Sequence, residues 1–238
     1  EYIRRRDEEL AREQARHRAF VAHELRTPLA TALAASSLLT LTNPTLGTGR
    51  PMQLLGRSLE QIRELIDQVL IAGRLDAGIE PDRTDLDLVA LVRDIEDTLQ
   101  PDAESRQVRI DLVTPPMLVV QADRRLLHSA VANLLRNAVK YTRPASTVAI
   151  TLHTDKDDAV LQVQDGCGGI VANNWATIFE PYARGDDAKS RQREGLGLGL
   201  AIAKQSAEAH GGALSVRNLD GVGCMFELRL PLAAPVSA

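Results

Sequence analysis

His23 stands directly before Glu24 in the run Phe20-Val21-Ala22-His23-Glu24-Leu25-Arg26-Thr27-Pro28-Leu29. A neutral imidazole nitrogen is a nucleophile, and a carboxylate beside the ring can fix its tautomer and accept its proton. If the run is helical, Leu25, Leu29, Ala32 and Ser36 share one apolar stripe. His23 then points away from that stripe toward solvent, and Thr27 lies one turn further along the same face. Pro28 removes a backbone donor and predicts a kink beside the reactive turn. Taken alone, a His-Glu pair is an ordinary solvated surface pair.

Three further segments have residue types suited to binding a ligand. Asn133 and Asn137 are four apart, and Lys140 and Tyr141 follow on the same helical face. Two amides and an ammonium suit a phosphate–metal cluster, because amide oxygen is a hard ligand for Mg²⁺. Asp165-Gly166-Cys167-Gly168-Gly169-Ile170 follows a β-rich run, and its glycines let backbone approach a ligand closely. Gly195-Leu196-Gly197-Leu198-Gly199-Leu200 opens a helix, where backbone N–H groups can face an anion. No Lys-Ser/Thr pair follows these glycines and no strand directly precedes them, so neither a Walker loop nor a dinucleotide fingerprint is present.

The elements that must hold these residues fall into two compositions. Residues 1–42 have no Gly and one Pro, and are dense in Arg, Glu, Ala and Leu. Asn43, Pro44, Gly47, Gly49 and Pro51 form a breaker cluster. A second helix is expected from about Pro51 to Ala77, with Leu55, Leu59, Ile62, Ile66 and Val69 at alternating spacings of four and three, a coiled-coil-like seam. One helical hairpin cannot bury both apolar stripes, so a homodimeric four-helix bundle is expected. After a linker at Gly78–Thr84, β-rich runs appear at Val108–Val113, Val148–Thr154 and Ala159–Gln164, with Asp155–Asp158 as the turn between the last two. Helices are predicted over Leu126–Tyr141 and Gly199–His210, and a terminal hairpin over Leu214–Arg217 and Met225–Leu230 around Asp220-Gly221. The mixture predicts an α+β sandwich.

The chain has 238 residues, 44% hydrophobic and 25% charged, which fits a globular protein of one large or two smaller domains. Aromatics are only 3%, so the core must rest on aliphatic side chains. A formal net charge of -4 argues against nucleic acid as a partner. Cys167 and Cys224 have no zinc-type spacing, and a reducing compartment is expected. No apolar run approaches the roughly 20 residues of a membrane span. Because the chain opens at Glu1 rather than Met, it is expected to be a fragment of a longer protein.

The His23 run resembles the phosphoacceptor box of sensor histidine kinases. Asn133-Leu134-Leu135-Arg136-Asn137-Ala138-Val139-Lys140-Tyr141 is similar to their asparagine box, and Phe179-Glu180-Pro181-Tyr182 to the start of their phenylalanine box. The order also matches the Bergerat-type ATPase fold shared with gyrase, Hsp90 and MutL-like proteins. The resemblance implies a multidomain α and α+β chain, in which a dimeric helical hairpin precedes an α/β sandwich that binds ATP. Its implied divisions are a signalling helix at 1–9, a dimerisation and phosphotransfer domain at 10–78, a linker at 79–83, a catalytic domain at 84–234 and a tail at 235–238.

It also implies roles. His23 takes the γ-phosphoryl group, Glu24 assists as base and orienter, and Glu24 with Thr27 positions water for dephosphorylating a partner. Asn137 binds Mg²⁺, Asn133 and Lys140 approach the phosphates, and Tyr141 lies near the nucleotide. Asp165 accepts a hydrogen bond from the adenine amino group, with Gly169 and Ile170 in its turn. Gly195, Leu196, Gly197, Leu198 and Gly199 form the phosphate loop, and the charged residues between Arg184 and Arg193 form a lid. The implied cofactors are ATP and Mg²⁺. The implied partners are a second copy of the chain, a response-regulator receiver domain and an upstream sensor domain outside this chain. The implied place is cytoplasmic, compatible with a membrane-anchored full-length protein. One departure stands out: the family pattern is Asp-x-Gly-x-Gly, and Cys167 replaces its first glycine. A positive φ there would strain Cys167 and weaken ATP binding. Two rival readings are a nucleotide-binding dimeric scaffold made inert by Cys167, and a gyrase- or Hsp90-like ATPase clamp.

Overall fold

The structure, a computed structural model, describes residues 29–39, 41–42, 50–170, 177–181 and 197–232. The chain divides into two compact units, Glu1–Ile79 and Glu80–Ala238.

The first unit contains helix α1 (residues 29–39) and helix α2 (Arg50–Asp76). Leu29 and Ile66 are buried together, with Leu33, Leu59 and Leu70 packed around them. Ser36, on the predicted stripe, is buried as well, and its hydroxyl donates to Met52 Sδ at 3.4 Å. The seam on α2 therefore splits. Leu59 and Ile66 pack within the chain, whereas Leu55 and Ile62 are each 46% exposed. Helix α2 stops where Gly78 adopts φ 63°, and its N–H bonds back to the Leu75 carbonyl at 3.0 Å. A left-handed residue closes a helix most cheaply as glycine. The expected signalling helix, the Pro28 kink, the breaker cluster around residues 43–49 and the tail lie outside the described residues.

The second unit is built on a five-stranded sheet in the order β2-β4-β5-β7-β6. Its strands are β2 (Arg109–Val113), β4 (Thr147–Asp155), β5 (Asp158–Asp165), β6 (Ala213–Leu219) and β7 (Gly223–Pro231). β2 and β4 are parallel, and the other pairs are antiparallel. A separate two-stranded sheet pairs β1 (Thr84–Asp87) with β3 (Val119–Ala122). Helices α3 (Leu88–Ser105), α4 (Arg124–Tyr141) and α5 (Gly199–Ala209) share one hydrophobic core with the sheets. Leu91, Leu127, Leu134, Ile150, Leu161 and Leu228 are completely buried or nearly so, which is the aliphatic core that a chain poor in aromatics requires.

β1, α3 and β3 were not anticipated as elements. The signal for α3 is Asp87, whose side chain caps the helix by accepting from the Val89 N–H at 3.0 Å, followed by apolar residues at 88, 89, 91, 92, 95, 99 and 103. Pro101 lies within this helix and obscures the pattern. Among the described residues, no helix is long and apolar enough to cross a membrane.

A buried polar stitch joins the ends of α4 and α5. Asp123 caps α4, with Oδ1 accepting from the N–H groups of Arg125 and Leu126 at 2.9 and 3.3 Å. Its own N–H donates to His210 Nε2 at 2.9 Å, and His210 Nδ1 lies 2.6 Å from the Ser206 carbonyl oxygen. These contacts require the tautomer with the proton on Nδ1. Burial lowers the His210 pKa, aided by Arg83 and opposed by the Ser206 carbonyl and Asp123. The unfolded chain therefore binds this proton first as pH falls below about 6.5. The stitch contributes fully above that value and weakens below it. Urea midpoints taken at about pH 7.5 and about pH 5.5 should fall more for the wild type than for His210→Gln; equal falls would remove His210 as the cause.

Candidate nucleotide site

The site residues come from three places on the second unit. α4 exposes one face beyond its core stripe. Asn133 is buried, while Asn137, Lys140 and Tyr141 are half-buried, so the predicted face runs from the core toward the surface. The Lys140 ammonium lies 5.3 Å from the Tyr141 ring centroid, within cation–π range.

The second place is the N-terminus of α5. A methyl group on Gly199 would lie 3.1 Å from Asn133 Oδ1, so glycine here lets the helix start come down onto the asparagine helix. Gly197 has φ 73°, Leu198 is buried, and no side chain caps the helix. The first turn therefore lacks a side-chain acceptor for its backbone donors, the condition under which an anion is favoured. Phe179 packs against the core beside α5, and the Lys204 ammonium lies 5.7 Å from its ring centroid.

The third place is the turn after β5. Asp165 is 3% exposed, and its Oδ1 accepts from the backbone N–H groups of Cys167 at 3.0 Å and Cys224 at 3.2 Å. Among the described residues no bond is made to Oδ2, which leaves an acceptor for a ligand amino group. The Gly166 N–H donates to Thr142 Oγ1 at 3.0 Å, which ties the turn to the end of α4. Asn218 on β6 clamps the far end. Its Oδ1 accepts from the Ile170 N–H at 2.8 Å, and its Nδ2 donates to the Ile170 carbonyl at 3.0 Å.

The feared strain at Cys167 is absent. Positive φ falls on Gly168 at 89° and Gly169 at 99°, and Cys167 is not among the described non-glycine residues with positive φ, which are Gln107, Ala145 and Lys156. The turn places its left-handed residues after the cysteine, so the missing glycine costs no backbone freedom. The Cys167 side chain packs against the core instead.

The structure thus brings Asn133 against Gly199 and leaves Asn137 and Lys140 further along the same helix. It fixes Asp165, Gly169 and Ile170 in one clamped turn. His23, Glu24, Thr27, Gly195, Leu196 and the charged lid segment lie outside the described residues. Thr142, Asn218 and Cys224 were missed as site-shaping residues. Thr142 directly follows the asparagine box and could have been suspected. Asn218 and Cys224 sit in a terminal hairpin whose alternation says nothing of the turn they support.

The donor set fits Mg²⁺ and a nucleotide: a half-buried asparagine amide, an ammonium, an uncapped helix start and a buried carboxylate with an available oxygen. Asn218→Ala should cost about 1 kcal/mol in urea unfolding and speed hydrogen exchange at Ile170, because the Ile170 N–H and carbonyl lose their partner. Unchanged exchange at Ile170 would show that the turn does not depend on this clamp.

Comparison with known proteins gives two family matches. Residues 14–78 match the His Kinase A (phospho-acceptor) domain, and residues 122–234 match the histidine kinase-, DNA gyrase B-, and HSP90-like ATPase. A probable sensor histidine kinase, TcrY of Mycobacterium tuberculosis, is 36% identical over 90% of this chain and 46% of its own length. The sensor-like histidine kinase SenX3 of Mycobacterium bovis is 32% identical over 93% of this chain and 55% of its own length. The chain therefore spans about half the length of the curated relatives it matches. Among solved structures, full-length ShkA in complex with AMPPNP superposes with a TM-score of 0.71 at 30% identity, covering 92% of this chain and 46% of that one. The mycobacterial sensor histidine kinase MprB gives a TM-score of 0.56 at 27% identity over 63% of this chain and 97% of its own.

Proposed function

The chain belongs to the sensor histidine kinases and carries both their phospho-acceptor and their ATPase domains, and on that premise we propose that it phosphorylates itself on His23 from Mg-bound ATP and passes the group to an aspartate of a response-regulator receiver domain. The observation that carries this reading is the junction of α4 with the uncapped start of α5, where Asn133 lies against Gly199 and the left-handed Gly197 leads in. Such a helix start holds phosphate oxygens on backbone N–H groups. Asn137 would hold Mg²⁺, which supplies neutralisation of the phosphate charge. Asn133 and Lys140 approach the phosphates, and Tyr141 lies near the nucleotide. Gly195, Leu196, Gly197, Leu198 and Gly199 form the loop over them. Asp165 Oδ2 accepts from the adenine amino group, with Gly169 and Ile170 lining that end. ShkA, solved with AMPPNP, supports a nucleotide in this fold.

In the transfer, a His23 ring nitrogen forms a bond to the γ-phosphorus as the bond to the ADP oxygen breaks. Glu24 takes the proton from the ring, and Thr27 with Glu24 positions water in dephosphorylation of the receiver. Positioning and charge neutralisation provide most of the rate in phosphoryl transfer. The same reading makes the hairpin of α1 and α2 a dimer interface. A second copy would cover Leu55 and Ile62, and the exposed Leu38, Leu39 and Leu41. It also gives the chain a cytoplasmic place downstream of a sensor domain, with a linker at 79–83 between its own two domains. The phospho-acceptor match over residues 14–78 favours a kinase over an ATPase clamp, and Cys167, whose φ is not positive, gives no backbone reason for expecting an inert scaffold.

Incubation with γ-labelled ATP and Mg²⁺ tests the reading. Acid-labile, base-stable label is expected on the wild type and none on His23→Ala. Label that persists in His23→Ala would sink the assignment. Asp165→Asn keeps an oxygen for the two backbone donors but can present its amide to the adenine, and should weaken nucleotide binding roughly 10- to 100-fold. Unchanged affinity would remove Asp165 from the adenine site.

A further inference from the structure

Cys167 and Cys224 are 57 residues apart in the chain, yet their sulfurs lie 2.7 Å from each other. The architecture of β5 and β7 produces this proximity. Cys224 is the register partner of Asp165, and Cys167 follows Asp165 by two residues in the turn. The backbones are pressed together by Gly223: a methyl there would collide with the Asp165 carbonyl oxygen and lie 2.8 Å from the Cys167 nitrogen. Both cysteines are thiols, with Cys224 buried and Cys167 half-buried. Closing them to a bond of about 2.05 Å requires movement of less than about 1 Å.

We propose that Cys167 and Cys224 form a reversible disulfide that lowers the affinity of the adjoining nucleotide site. The effect on affinity rests on the assignment of the Asp165 turn to adenine; the disulfide itself does not.

The two sulfurs have different roles. Cys167 is the more accessible of the two, and its sulfur accepts the Gly169 N–H at 3.3 Å beside the Cys224 sulfur. The contact with Cys224 lowers the Cys167 pKa against the opposing effects of burial and the Asp165 carboxylate, while the same contact and burial raise that of Cys224. Cys167 is therefore the attacking thiolate and Cys224 the resolving thiol. With a hydroperoxide as oxidant, the Cys167 thiolate attacks the O–O bond, takes one oxygen as sulfenic acid and releases an alkoxide or hydroxide that is protonated. The Cys224 sulfur then attacks the sulfenic sulfur, the S–S bond forms, and the hydroxyl leaves as water with the Cys224 proton. Two thiols lose two electrons in total, and the peroxide O–O bond is reduced. A dithiol reductant reverses the change.

The consequence for the site follows from the same contacts. The Cys167 N–H is one of two donors on Asp165 Oδ1, and the Cys167 sulfur is the acceptor for the Gly169 N–H. Oxidation draws Cys167 toward β7 and replaces that acceptor with a weaker one. The turn that carries Gly169 and Ile170 loses its reduced geometry at the point where adenine would bind.

The test uses the full chain, with a metal chelator present during hydrogen peroxide treatment and removed before titration. Peptide mapping without reductant should find the Cys167 and Cys224 peptides joined within one chain, at the mass of two lost hydrogens. Titration with a fluorescent ATP analogue and Mg²⁺ should show roughly 5- to 20-fold weaker binding after oxidation, restored by dithiothreitol, the loss expected when about one hydrogen bond is given up. Cys167→Ser and Cys224→Ala should each abolish both the linkage and the peroxide response when oxidised and reduced samples of the same variant are compared. Oxidation of Cys167 without linkage, or only intermolecular linkage, would overturn the disulfide. Linkage with unchanged affinity would overturn the coupling. A reduced chain that binds no nucleotide would remove the adenine assignment and the coupling with it, whereas the peptide map judges the disulfide independently.

Discussion

The Asp165 carboxylate ends a central strand in a buried place, and two backbone N–H groups hold it there. Its Oδ1 receives N–H groups from Cys167 in the following turn and Cys224 on the neighbouring strand. Hydrogen bonds to the charged form are what allow a carboxylate to stay buried. The Cys167 donor is local to the turn, whereas the Cys224 donor requires β5 and β7 to be in register at this end, where Gly223 permits the close approach. A carboxylate anchored in this way has little freedom to rotate, so the oxygen left over has a defined direction. Thr142 and Asn218 hold the turn from the α4 side and from β6. The site is thus an extension of the sheet, and its precision comes from strand pairing.

The phosphate side is organised differently. Asn133 is drawn into the core by the stripe that includes Leu127, Val131, Leu134 and Ala138, and Gly199 lets α5 start against it. The far ends of the same two helices are joined through Asp123 and His210. Two helices held at two separate points cannot easily slide past one another, so the spacing between the asparagine face and the α5 N-terminus is set by buried contacts. The left-handed Gly197 and the absence of a side-chain cap leave this rigid helix start available to a ligand. A cap residue at position 198 would stabilise the helix and occupy the donors that an anion needs. The fold gives up that local stability at the place where the phosphates would bind.

Much of this was legible from spacing. The strands at β2, β4, β5, β6 and β7 and the helices α4 and α5 are each foreshadowed within a few residues, because alternation and helical stripes record burial directly. Asn133, Asn137 and Lys140 share a face as the period requires. β1, α3 and β3 escaped notice because short strands of four residues carry little alternation and because Pro101 interrupts the α3 pattern. Asn218 and Cys224 could not have been assigned to the site from periodicity, since their roles depend on which strand lies beside β5. Sheet order is a non-local property, and β7 reaches β5 only after a crossover past α5.

Cys167 shows how far a motif letter can mislead when its physical reason is unknown. A glycine in a consensus position suggests either a positive φ or a close approach. Here the positive φ values lie at Gly168 and Gly169, and the close approach is met by Gly223 on the opposing strand. Position 167 is therefore free to carry a side chain, provided that the side chain points toward β7 rather than toward a ligand. Its register then decides what it meets, and in this chain it meets the thiol of Cys224. A substitution that looks like the loss of a binding feature is sterically neutral for the backbone, and its chemical consequence is the sulfur contact beneath the turn.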